Sequence, residues 1–234
     1  MSPVRLFIGT PAYGGRVTVD YTTSLAATLL TMDAAGISGE WSLGDYGALI
    51  GAARNRICAE FLASDCSHAL FVDADISWKP AAVLRLIEHD LPVVGALARV
   101  KGDNAGFDYL RLSGASPDER GLLEVTTIGA SFVLVRRDAL QTLIETGRAA
   151  KVEASTGMYV MPAALRPWLY DFWPSGLVQG RYLSEDTGFC VLWKQAGGRI
   201  FADLSIQLRH HGARVFDGDP MAAFALEPCT GEAA

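Results

Sequence analysis

Two aspartates stand two residues apart at the end of an apolar run, Leu70-Phe71-Val72-Asp73-Ala74-Asp75-Ile76. A buried strand that ends in two carboxylates delivers them to the carboxyl edge of a sheet, where open α/β folds bind their ligands. In a continuing strand, positions i and i+2 share a face, so both acids could converge on one cation. Acids are also common at strand ends for structural reasons alone, Asp75 capping the turn that follows. Leu183-Ser184-Glu185-Asp186 places two further acids at a predicted helix start. The helix dipole favours acids there, and a carboxylate so placed that faces a cleft is also a candidate general base. Arg209-His210-His211-Gly212 supplies two imidazoles, common ligands of manganese-like or zinc-like ions. Neighbours on a strand point to opposite faces, so one of the pair at most reaches a given ion. Arg54, on a predicted helix, and Lys101, just after a predicted strand, read either as solvated or salt-bridged residues or as phosphate-binding cations; the guanidinium fork suits oxyanions. The Gly14-Gly15 turn could admit a nucleotide, but it is neither G-x-G-x-x-G nor a P-loop.

These groups must be positioned by an alternation of short apolar runs and amphipathic helical patterns, the signature of an α/β fold. Val4 to Gly9 reads as a first strand. Tyr21, Leu25, Leu29 and Met32 fall on one helical face, and Gly36 stops that helix. A second helix covers Ala48 to Ser64, with Ile50, Ala53, Ile57 and Phe61 inward and Arg54, Asn55 and Glu60 largely off that stripe. His68 to Val72 is a short buried strand, Pro80 opens a helix, and Leu91 to Ala98 is a further strand. Arg99 to Gly121 is a polar, Gly-rich loop, of a length that in compact domains generally serves a function. Val125 to Arg136 is one strand or two broken at Gly129, followed by a helix from about Asp138 to Gly147. Residues 157–182 are rich in aromatics and prolines, Tyr159 among them, and read as partly core, with Trp168 and Trp173 a possible stacking wall for a sugar ring. Ser184 caps a helix that runs to Gly197-Gly198, and Arg199–Ala202 and Ile206–His210 are short strands. From about Met221 the chain has no strong signal.

Composition sets the outer bounds. The 234 residues are 50% hydrophobic and 20% charged, which suits a single packed domain. A net charge of −6 lacks the basic stripe of a general nucleic-acid binder. No apolar run approaches the roughly 18–20 residues that span a bilayer. The N-terminus shows no signal-peptide pattern, so a cytoplasmic location without an integral membrane segment is expected. Cys58, Cys66, Cys190 and Cys229 form no CxxC pair and read as reduced core thiols.

Taken in order, several pieces form a set: Arg54-Asn55, the strand ending in Asp73-Ala74-Asp75, the Val94-Gly95 to Lys101 stretch, Gly129 to Arg136, Ser184-Glu185-Asp186, and Asp203 to Gly212 with its H-x-G ending. With them the chain resembles GT-A-fold glycosyltransferases, more narrowly the bacterial and phage relatives of the yeast mannan-polymerase-subunit (Anp-type) family, from Val4 to about Gly212. The resemblance implies a GT-A-like (Rossmann-like) mixed, mainly parallel sheet flanked by helices. It implies one domain over residues 1–220, with a nucleotide-binding half at about 1–100 and an acceptor half at 101–220, and a tail at 221–234. It implies transfer of a sugar from a UDP- or GDP-sugar to a saccharide, lipid-linked or protein acceptor. Asp73 and Asp75 match the D-x-D motif that binds Mn²⁺ or Mg²⁺ and the ribose–diphosphate, Asp75 being the more direct metal ligand. His210 matches the metal histidine, because only it stands two before Gly212. Asp186, with Glu185 beside it, matches the acid that serves as base in inverting members. Pro11, Ala12 and Tyr13 occupy the place where the donor base and ribose pack, and Arg54 and Lys101 are the candidate phosphate contacts.

The chemistry suits those roles. A divalent ion stabilises charge on a departing diphosphate without proton transfer. Two carboxylates and an imidazole favour Mn²⁺ or Mg²⁺ over a structural zinc. Two other functions remain compatible with the same residues. Phe71-Val72-Asp73-Ala74-Asp75-Ile76-Ser77 also resembles the nucleophile motif of haloacid-dehalogenase-like phosphatases, which requires a second acidic pair downstream, with Gly218-Asp219 the nearest approach to one. A protein that binds a nucleotide or nucleotide sugar without turnover would share the fold and the site.

Overall fold

The computed structural model describes residues 3–44, 47–103, 106–153, 161–178 and 180–226. In chain order the elements are β1 (Arg5–Pro11), α1 (Val19–Ala34), β2 (Ser38–Gly44), α2 (Ile50–Ala63), β3 (His68–Val72), β4 (Ile76–Ser77), α3 (Ala81–Glu88), β5 (Val93–Gly95), β6 (Tyr109–Arg111), β7 (Leu122–Ile128), β8 (Phe132–Arg136), α4 (Arg137–Glu145), β9 (Ala150–Lys151), β10 (Tyr170–Asp171), β11 (Gly176–Val178), β12 (Arg181–Leu183), α5 (Glu185–Gln195), β13 (Ile200–Asp203), β14 (Arg209–His211), β15 (Val215–Asp217) and α6 (Pro220–Leu226). Residue 159 and Cys229 lie outside the described residues; Cys58, Cys66 and Cys190 are buried free thiols.

Eight strands form one mixed sheet in the order β2-β1-β3-β8-β5-β13-β7-β6. β7 and β8 run against the other strands, so the α/β sheet is mixed with most strands pointing one way. Alternation along each strand splits the apolar residues between two cores. Phe7, Phe71, Val93, Val133 and Val135 face the core covered by α2, α4 and α5. Leu6, Ile8, Leu70, Val94 and Leu134 face the core covered by α1 and α3. The near-continuous apolar runs of the central strands follow from burial on both faces.

Local chemistry fixes the helix ends. Thr18 caps α1 by accepting the Tyr21 amide at 3.1 Å. Gly36, at φ +68°, turns the chain out of it, the Ile37 amide closing on the Met32 carbonyl at 2.9 Å. α2 packs close on β1, where a Cβ on Gly9 would stand 2.2 Å from Ile57 Cγ2. Gly129 does separate two strands, β7 and β8.

Several sequence expectations need correction. On α2, Arg54 and Asn55 are buried and Ile50 is exposed; tertiary partners outweigh the apolar stripe. The loop at 99–121 contains β6, and the expected tail begins as α6. Trp173 is no stacking wall. It is buried and itself stacks on Phe189, with ring centroids 4.4 Å apart, while Trp168 lies partly exposed in a short 3-10 turn.

Asn55 explains how that aromatic segment is pinned. Its Nδ2 donates to Asp171 at 2.8 Å, and its Oδ1 accepts the Phe172 and Trp173 amides at 2.8 and 3.2 Å. Asn55→Leu would leave both buried amides without that acceptor, at about 1–3 kcal/mol each. We therefore expect a clear fall in urea midpoint for Asn55→Leu, and little change for Ala63→Gln at the exposed end of the same helix.

Candidate active site

The D-x-D acids do not extend a strand. β3 ends at Val72, and Asp73-Ala74-Asp75 turns, the Ile76 amide closing on the Asp73 carbonyl at 3.1 Å. The turn sends the two carboxylates to different partners. Asp73 Oδ1 accepts from Arg54 Nη2 at 2.8 Å. Asp75 accepts from Lys101 Nζ and faces His210 Nε2 at 3.4 Å. Burial alone would raise the Asp75 carboxyl, but His210 and Lys101, by hydrogen bonds and charge, bring it down to about 2.

A small sheet brings His210 there. β14 pairs with β15 and β4, and His210 stands opposite Ile76. The His211 amide donates to the Asp75 carbonyl at 2.8 Å. The two imidazoles point apart, as strand geometry requires: His211 meets Ser77 Oγ at 2.8 Å and Asp20 at 3.7 Å. His210 Nδ1 donates to the Arg99 carbonyl at 2.8 Å, which leaves Nε2 aimed at Asp75. A backbone carbonyl on one ring nitrogen is how proteins orient the other toward a metal. Burial opposes the charged form of His210, but Asp75 and the Arg99 carbonyl outweigh it and raise its pKa.

Arg54 joins the turn to α5. It is 3% exposed and donates through Nη1 to Glu185 and through Nη2 to Asp73, above the Trp173 ring with Cζ 5.4 Å from the centroid. Asp186 Oδ1 accepts from the Ser184 hydroxyl and from the Thr187 amide, the latter at 2.7 Å.

Two adjoining cavities share Ile50, Asp73 and His210. One, of about 420 Å³, is lined by Pro11, Tyr13, Arg16 and Asp75. The other, of about 350 Å³, is lined by Arg54, Lys101, Asp108, Glu185 and Asp186. The structure thus gathers Pro11, Tyr13, Arg54, Asp73, Asp75, Lys101, Glu185, Asp186 and His210 around one cleft. It leaves Ala12 off the wall, buried with its amide on the Gly44 carbonyl at 2.9 Å. Arg16 and Asp108 were not anticipated. No local pattern marks either, since their placement depends on the left-handed turn at Gly14 and Gly15 and on the bridge between Arg99 and Phe107. Asp219, the second acid that a phosphatase would need, lines a different cavity and caps α6 by accepting the Met221 and Ala222 amides at 3.0 and 3.2 Å.

No protein-family model matches the chain, and no curated protein matches it either. Among solved structures, A197 from STIV aligns over 93% of this chain and 90% of its own, at 16% identity and a TM-score of 0.49. A glycosyltransferase involved in the glycosylation of the major capsid of PBCV-1 aligns over 62% of this chain and 65% of its own, at 11% identity and a TM-score of 0.36. TarS 1-349 of S. aureus aligns over 71% of this chain and 54% of its own, at 15% identity and a TM-score of 0.35. Among the described residues no helix is long and apolar enough to cross a membrane.

Two outcomes test this geometry. Arg54→Met strands Asp73 and Glu185 beside a buried apolar side chain; breaking such a pair costs about 3–5 kcal/mol. Adding Glu185→Gln to Arg54→Met should restore part of the loss in chemical denaturation. The His210–Asp75 pair sets a pH window. The raised pKa of His210 makes its contribution complete below the ordinary 6.5 and lost as pH rises through the folded value. The depressed pKa of Asp75 makes its contribution present above 3.8 and lost toward about 2. The stability difference between the metal-free protein and its His210→Gln variant should therefore be larger at pH 5.5 than at pH 9.

Proposed function

We propose that the chain is a glycosyltransferase that moves a sugar from a UDP- or GDP-sugar to a hydroxyl acceptor, with Mn²⁺ or Mg²⁺ held at Asp73, Asp75 and His210. The observation that carries the reading is convergence. A turn after β3, the N-terminus of α5 and β14 are far apart in sequence, yet they bring two aspartates, two further acids and an imidazole to one cleft, beside Arg54 of α2 and Lys101 after β5. Asp75 and a His210 Nε2 already oriented by a backbone carbonyl suit a Mn²⁺- or Mg²⁺-like ion, and Asp73, turned to Arg54 in this structure, would have to swing toward them to complete the set. Such an ion stabilises the charge that gathers on a diphosphate as it departs.

The other roles fall to the chain's own groups. Pro11 and Tyr13 offer a surface for the base and ribose, and Arg16 adds a cation on the same wall. Arg54 fixes Asp73 and Glu185 rather than standing free for phosphate. Lys101 is held at Asp75 until a ligand competes for it. Glu185 and Asp186 bound the neighbouring cavity, where an acceptor hydroxyl would approach. The placement of Asp219 in a separate cavity speaks against the phosphatase reading.

A thermal-shift panel tests the proposal: UDP, GDP, ADP and CDP, each with Mn²⁺, Mg²⁺ or EDTA. A ligand at 100 times its Kd stabilises by about 2.7 kcal/mol. One diphosphate should raise Tm only with metal. Asp75→Ala should abolish that shift, and His210→Ala should weaken it more than His211→Ala. The reverse order of the histidines would reject the metal set. Slow release of free nucleoside diphosphate from the matching sugar donor would separate transfer from binding alone.

A further inference from the structure

Of the carboxylates in the cleft, four are already engaged. Asp73 and Glu185 hold Arg54, Asp75 holds Lys101 and faces His210, and Asp186 Oδ1 accepts from Ser184 and Thr187. The fifth is Asp108. It lines the same cavity as Asp186, Glu185 and Asp73, and among the described residues its carboxylate accepts no hydrogen bond. Its place is set by the backbone: its amide reaches the Ala98 carbonyl at 3.3 Å, and its own carbonyl accepts the Gly129 amide at 2.9 Å. Its carboxylate lies over Gly129, where a Cβ would stand 2.2 Å from Oδ2. The strand break at Gly129 therefore makes the room that this acid occupies.

Resting on the transferase reading, we propose that Asp108 takes the proton of the acceptor hydroxyl. The acceptor oxygen forms its bond to the anomeric carbon as the bond from that carbon to the diphosphate breaks. The electron pair of the broken bond leaves on the diphosphate, the hydroxyl proton passes to Asp108, and the anomeric configuration inverts. Glu185 and Asp186 are then positioning residues, the first through Arg54 and the second at the start of α5. The surroundings agree with this division. Asp108 is exposed at the cavity mouth, and partial loss of hydration there, then the charges of Asp186, Asp73 and Glu185, raise its pKa above the usual carboxylate value, opposed by Arg54. A base with a raised pKa and no competing donors accepts a proton more readily.

The test uses the whole chain with Mn²⁺ and UDP-glucose, UDP-galactose, UDP-N-acetylglucosamine or GDP-mannose, water serving as acceptor and nucleoside diphosphate release as the readout. Wild type, Asp108→Asn, Asp186→Asn and Gly129→Ala are compared, each with its metal-dependent thermal shift. Asp108→Asn and Gly129→Ala should keep the shift and lose turnover by about a hundredfold or more, and Asp186→Asn should lose less. The acid limb of the wild-type pH–rate profile should vanish in Asp108→Asn, and the first-formed sugar anomer should be the inverted one by NMR. Turnover of Asp108→Asn within threefold of wild type would overturn the assignment, as would loss of its nucleotide shift together with activity. If wild type shows no release with any donor, the transferase reading itself falls, and this assignment with it, a shift without release pointing to binding alone.

Discussion

One buried guanidinium organises the cleft. Arg54 is almost wholly enclosed, and a charge so placed is tolerated only with partners. Its partners come from distant parts of the chain, Asp73 after β3 and Glu185 at the head of α5. Burial opposes the charged form, yet the two carboxylates outweigh it and raise the Arg54 pKa. The side chain is not fully satisfied, since Nε has no hydrogen-bond partner among the described residues. What fixes it is shape as well as charge. Trp173 lies beneath it, stacked in turn on Phe189 of α5, and Asn55, one residue along α2, holds the Trp173 amide. The position of α5, and with it Glu185 and Asp186, is thus tied to α2 through a polar clamp and an aromatic stack at once.

The second arm of the cleft depends on the two-residue alternation of a strand and not on burial. β14 places adjacent histidines on opposite faces, and the hydrogen bond from the His211 amide to the Asp75 carbonyl fixes the register. His210 is thereby delivered to the D-x-D turn and His211 to Ser77 and Asp20. A slip of one residue would exchange the two side chains. This is why a three-stranded sheet of very short strands can present a single imidazole with a defined nitrogen toward Asp75.

The α/β alternation was legible because the central strands are apolar on both faces and the long helices have clear stops, Gly36 among them. The cleft was legible where signals that are each common alone follow one another in a set order: two acids closing a buried strand, two acids opening a helix, and a histidine pair before a glycine. It was not legible where position arises from tertiary contact. Arg54 and Asn55 lie off the apolar stripe of α2, so periodicity assigns them to solvent, yet both are buried because partners from residues 73, 171–173 and 185 close over them. Trp173 read either as core or as part of a stacking wall, because an irregular, proline-rich segment has no period to show which way it faces. Asp108 sits in a loop without a motif, and Arg16 follows two glycines that any turn could contain.

The charge pattern of the cleft has a consequence for what it can hold. Arg54 and Lys101 are both committed to carboxylates of the cleft itself, so neither stands free to receive an anion. Arg16, on the wall of the larger of its two cavities, pairs with no carboxylate among the described residues. On the reading proposed above, a diphosphate entering beside Asp73 and Asp75 meets two carboxylates and one uncommitted cation, an unfavourable field for an anion unless a divalent ion sits between them. Such an ion would compete with Lys101 for Asp75 and release its ammonium toward the phosphates. On that reading the Asp75–Lys101 ion pair would be a reserve of positive charge, uncovered when metal and nucleotide enter together.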